Sequence, residues 1–127
     1  MPENKGVNAL LKEVIYTKEE LEERLVYWQE KLRLRDWMIQ INIKREQDFT
    51  TSDSNAEILY NLSNKSAFIS MMDPVDFDDL LPQDMEWLLI HELLHLHFAP
   101  MDNNRNRTSI EQGIESITYG LVQLERQ

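Results

Sequence analysis

Trp87–Leu96, read as WLLIHELLHL, is the stretch on which the fold of this 127-residue chain turns. It lies within Gln83–Phe98, a long and very apolar run that contains neither glycine nor proline. Such a run predicts a helix covered on most sides, with Ala99-Pro100 ending it. Its polar members are not scattered. His91, Glu92 and His95 fall within one arc of about 100° around the helix, and Trp87, Leu89, Ile90, Leu93, Leu94 and Leu96 fill most of the rest. Two histidines four residues apart project from one face, one turn apart, so both imidazoles reach a single tetrahedral ion without disturbing the backbone. Glu92 borders such an ion without ligating it, and from there takes a proton from metal-bound water. Polar groups in an oily helix need partners of some kind, and the bland alternative is a hydrogen-bonded polar patch. His97 points about 200° away from His95 and reads as a structural or surface residue.

A catalytic zinc takes three protein ligands and keeps a fourth position for water. The chain has no cysteine and no third histidine within reach, so the remaining ligand is expected to be a carboxylate from another element. Ile110, Ile114, Ile117, Leu121 and Leu124 form an apolar stripe that predicts a final helix over about 109–125. The turn at Pro100 brings it back against the first. It offers Glu111 and Glu115, one turn apart on one face, and Gly113 between them leaves room for a close neighbour. Glu111 also fits the third position of a capping box opened by Thr108. Glu111 on the metal with Glu115 behind it, orienting a ligand histidine, is the preferred assignment; the reverse stays open.

Upstream, Thr17-Lys-Glu-Glu20 is a capping box, and Leu21, Leu25, Trp28 and Leu32 recur at helical spacing, predicting a helix over about 17–33. From Trp37 to Lys44 the period shortens to two, as in a half-buried strand. Ala56–Leu62 and Ser66–Met71 are two further strands with their turn at Asn61–Lys65, and Asp73-Pro74 ends the second. Residues 1–16 read as a lead-in, and 17–127 as one α+β domain: a helix, a small three-stranded sheet, then two helices carrying the site. Trp28, Trp37 and Trp87 are expected in the core. The acidic run Asp73, Asp76, Asp78, Asp79, Asp84 and Glu86 lacks the spacing of a calcium loop and reads as a solvated connector.

Composition bounds the function. No stretch approaches the roughly 20 apolar residues of a membrane span, no secretory signal is evident, and the absence of cysteine fits a reducing, cytoplasmic setting. Net charge is −10, and residues 46–127 carry four basic against fifteen acidic residues. That stretch repels a phosphate backbone, so nucleic acid is not expected as a partner and a DNA-associated protease of the SprT-like kind is disfavoured.

The chain resembles a very small zincin of the gluzincin type, and is similar to the short metallopeptidase-like proteins of phage and prophage genomes. WLLIHELLHL and the helix opening EQGIESITYGL, Glu111–Leu121, carry the likeness, which covers roughly residues 37–122. The second motif resembles the zinc-ligand helix of ImmA/IrrE-type metallopeptidases, which implies Glu111 as ligand and Glu115 as its support. Thermolysin-like spacing, twenty residues beyond the second histidine, implies Glu115 instead. The resemblance further implies that SAFISM, Ser66–Met71, is the sheet edge receiving an extended peptide. No residue is assigned by motif to stabilise the tetrahedral intermediate, Tyr119 being one candidate. The expected function is zinc-dependent peptide hydrolysis with Glu92 as general base. The alternative is a non-enzymatic, metal-stabilised interaction module of the phage or prophage type.

Overall fold

A computed structural model describes residues 12–50, 54–78 and 80–127. The elements are α1 (Lys18–Lys31), β1 (Met38–Lys44), β2 (Ala56–Asn61), β3 (Ser66–Met72), α2 (Met85–Phe98) and α3 (Arg107–Glu125), an α+β arrangement in the expected order. The Thr17 capping box forms: Thr17 Oγ1 accepts from the Glu20 amide at 3.1 Å, and Glu20 Oε1 accepts from the Thr17 amide at 2.9 Å. Leu21, Leu25 and Trp28 face the core from α1. At the helix end, His97 Nε2 lies 2.8 Å from the Leu32 carbonyl and donates to it, which ties α1 to α2 and gives that histidine a structural role.

The sheet order is β1-β3-β2, with β1 parallel and β2 antiparallel to β3. Ser66–Met71 therefore lies in the central strand, hydrogen-bonded on both sides, and cannot be the edge that takes an extended peptide. Among the described residues, β2 is the antiparallel edge of the sheet and β1 the parallel one. The burial of β3 agrees, since Ala67, Ile69, Ser70, Met71 and Met72 are all buried, covering both faces of the strand as a central position demands.

α1 and α2 back the sheet, and Met85, Leu89, Ile90 and Leu93 of α2 are fully buried between it and α3. The stripe of α3 differs from the one expected. Ile110, Ile114, Thr118 and Val122 are buried, while Ile117 and Leu124 are exposed. Thr118 tolerates that position because its hydroxyl donates to the Ile114 carbonyl at 2.7 Å. No helix among the described residues is long and apolar enough to cross a membrane.

Two members of the acidic run are not solvated. Asp84 caps α2 by accepting from the Trp87 amide, and it takes a two-pronged bond from Arg126 at 2.7 and 2.9 Å. Glu86 accepts from Arg24 Nε and Trp28 Nε1, each at 3.0 Å. These carboxylates are buried because Arg24 and Arg126 reach them from α1 and from the residue that ends α3. Asp76 stays at the surface, where Arg45 and the Glu46 amide hold its carboxyl down at about 2. Asp79 lies outside the described residues, as do residues 1–11 of the expected lead-in. Val14, by contrast, pairs with the start of α2 through Val14 N to Gln83 O and Met85 N to Val14 O.

Removing the Glu86 carboxylate leaves the buried Trp28 indole N–H without its acceptor and Arg24 with the Glu125 carboxylate alone, 3.3 Å away. Glu86→Ala should cost about 3 kcal/mol in denaturant unfolding, whereas Glu125→Ala, which removes the more exposed partner of Arg24, should cost about 1 kcal/mol or less.

Candidate metal centre

α2 carries His91 and His95 on the face that meets α3, and α3 brings Glu111 to both. Their Nε2 atoms lie 3.0 and 3.5 Å from Glu111 Oε1, and the three ligand atoms all lie within 4.8 Å of one another. Ligand atoms bound at about 2.05 Å to a tetrahedral ion are about 3.3 Å apart, so the two contacts to Glu111 bracket the spacing a metal requires. His91 and Glu92 are buried, His95 half-buried, and the Glu111 side chain is 46% exposed. The group is thus walled by protein on the α2 side and open beside Glu111. Two imidazoles and a carboxylate on this spacing could hold a metal ion.

Glu111 is available because it does not cap its helix. α3 begins at Arg107 with Asn106 at the N-cap, which moves Glu111 beyond the position a Thr108 capping box would require. The preceding loop binds itself instead. Asn103 Oδ1 accepts from the amides of Arg105 and Asn106, Asn106 Oδ1 accepts from the Asn103 amide, and Asn106 Nδ2 donates to the Met101 carbonyl. This closed turn returns α3 along α2. A Cβ at Gly113 would meet nothing within 4 Å, so that glycine serves no close approach.

Glu115 is exposed and lines the same groove, one turn from Glu111, outside the three-residue group. His91 Nδ1 is buried with no hydrogen-bond partner, so Glu115 does not orient that ring. The ring is held by an aromatic contact. Trp87 lies against His91 with centroids 5.0 Å apart and planes at 30°, and Tyr119 packs on Trp87 at 5.4 Å. Trp87 is therefore a half-buried residue that packs against the core and also walls the site, whereas Trp28 and Trp37 are buried in the core. Tyr119 is not among the groove-lining residues.

The groove, about 710 Å³, runs between β2 on one side and α2 and α3 on the other. Glu92, Glu57 from β2, Tyr60, Asp102 and Arg107 line it together with the histidines. None of these four additions was marked by a motif; Arg107 alone carried a signal, standing four residues before Glu111 and hence on its face. Burial pushes the Glu92 carboxyl up to about 8, with the charges of Glu111 and Glu57 adding to the rise. Burial lowers His95, and the Glu111 charge opposes it.

A carboxyl raised in the fold above its unfolded value of 4.5 holds its proton while the unfolded chain releases one. Its contribution is complete below pH 4.5 and is lost as pH rises toward about 8. Chelator-treated protein should therefore lose stability, on the order of a few kcal/mol, across that window. Glu92→Gln, which cannot ionise, should flatten the dependence in pH-resolved denaturant titrations.

Comparison of the chain with protein-family models, with curated proteins and with solved structures finds no match to any of them.

Proposed function

We propose that this chain is a small zinc metallopeptidase of the zincin type. The observation that carries the reading is the convergence of His91, His95 and Glu111 from two helices, with the buried Glu92 beside them and a groove in front. Two imidazoles with one carboxylate, on a group open at one side, suit a catalytic zinc better than a closed structural site. A bound zinc ion supplies positive charge that acidifies a ligated water and polarises a carbonyl. Glu92 takes the proton of the attacking water and returns it to the leaving amine. β2 gives the substrate its place, because this antiparallel edge runs along the groove and offers its backbone groups to an extended peptide.

One observation favours the second reading, a metal-stabilised module without catalysis. Ligand histidines of catalytic zinc sites are ordinarily held by an acceptor at their other nitrogen, and the buried His91 Nδ1 has none.

Metal analysis and a peptide library separate the two. Purified protein should bind one zinc per chain and cleave peptides, with hydrolysis lost on chelation and restored by zinc. Glu92→Gln should lower the rate by about 10³-fold or more while retaining zinc, and Glu111→Ala should weaken zinc binding by about 100-fold or more. Zinc-loaded wild-type protein that cleaves nothing would leave the module reading in place.

A further inference from the structure

Arg107 is the one lysine or arginine among the described residues lining the groove, which it shares with Glu57, Glu92, Asp102, Glu111 and Glu115. It opens α3 one turn before Glu111, on the same face. Because α3 returns along α2, this turn lies toward the C-terminal end of α2, on the His95 side of the ligand group. The surroundings agree. Burial raises the Tyr60 phenol, Asp102 adds to the rise and Arg107 opposes it, so these three gather at one end of the groove. His95, besides its burial and its neighbours Glu111 and His91, feels both Asp102 and Arg107. Glu92 feels Glu57, which stands three residues before Tyr60 on β2, about 10 Å along the strand. Glu57, a neighbour of Glu92, and Tyr60, a neighbour of Asp102 and Arg107, are thus spaced along β2 beside one groove.

The Arg107 side chain is 63% exposed, and its Nε lies 3.7 Å from Asp102 Oδ1, too far for a hydrogen bond. The Asp102 side chain is 16% exposed and its Oδ1 has no hydrogen-bond partner, so its charge draws the guanidinium while the Arg107 N–H groups stay free to donate. Resting on the peptidase reading, we propose that Arg107 is a catalytic residue that donates to the scissile carbonyl oxygen as negative charge develops on it, and that Asp102 is its positioning residue. The bond changes are those of hydrolysis. The water oxygen attacks the carbonyl carbon as Glu92 takes its proton, and the π pair moves onto the carbonyl oxygen that faces Arg107. The pair returns as the C–N bond breaks, and the amide nitrogen takes the proton from Glu92. An acid and an amine result.

The test uses the full zinc-loaded chain and the library peptide that it cleaves fastest. Arg107→Met should lower kcat by about 10²–10³-fold with KM within about threefold, and Arg107→Lys should recover part of that loss, because one positive charge remains but the fork of donors is gone. Zinc stoichiometry and Tm should match wild type. Asp102→Asn should lower kcat in the wild-type chain but not further in Arg107→Met, a dependence that a merely structural aspartate would not show. A kcat for Arg107→Met within about threefold of wild type overturns the assignment, and if Glu92→Gln is inactive in the same assay the peptidase reading survives it. Zinc-loaded wild type that cleaves no peptide overturns both.

Discussion

The register of α3 against α2 is the constraint on which the candidate centre depends. One end is held by Arg126, whose two bonds to Asp84 lock the residue after α3 to the cap of α2. The other is held by the self-bonded turn Asn103–Asn106. Between them, Ile110, Ile114, Thr118 and Val122 fill the interface. A slip of one residue along the helix axis moves a side chain by about 1.5 Å and turns it by about 100°. Either change would take Glu111 Oε1 away from contacts of 3.0 and 3.5 Å with the two imidazoles. The clamps at the helix ends, far from the groove, are therefore part of what builds it.

What could be read from the residues alone was whatever is local. The Thr17 capping box needs only Glu20, and the arc of His91, Glu92 and His95 follows from helical geometry, as does the outward direction of His97. The order of elements follows from changes of period. Pairings between distant segments were not legible. Nothing in SAFISM says that parallel β1 and antiparallel β2 flank it, and a half-apolar strand fits an edge as well as a centre. Asp84 and Glu86 sit in a run of acids that looks solvated until Arg126 and Arg24 arrive from other elements. Trp87 has the spacing of a core residue, but at that turn α2 rotates it toward the groove, where it covers His91. Thr118, the polar member of the α3 interface, was hidden because hydroxyl-to-backbone bonding within the helix makes it behave as a small apolar residue.

Electrostatics gives the groove its character. Among the described residues, five carboxylates and one guanidinium line it, in a chain whose net charge is already −10. Without a cation, Glu92 answers this field by keeping its proton, as burial alone would already require. A divalent ion held by His91, His95 and Glu111 would oppose this field, so the same carboxyl would be favoured in its charged form. Metal binding, release of the Glu92 proton and stability of the fold would then be one linked equilibrium. Burial of Glu92 disfavours its ionised form when the site is bare, and it would strengthen the attraction of that form to a cation bound beside it. A more solvated glutamate would have neither property, because water would screen it from Glu57, from Glu111 and from the ion alike. The burial of Glu92 within α2 is thus what would make the protonation of this group respond to a bound metal.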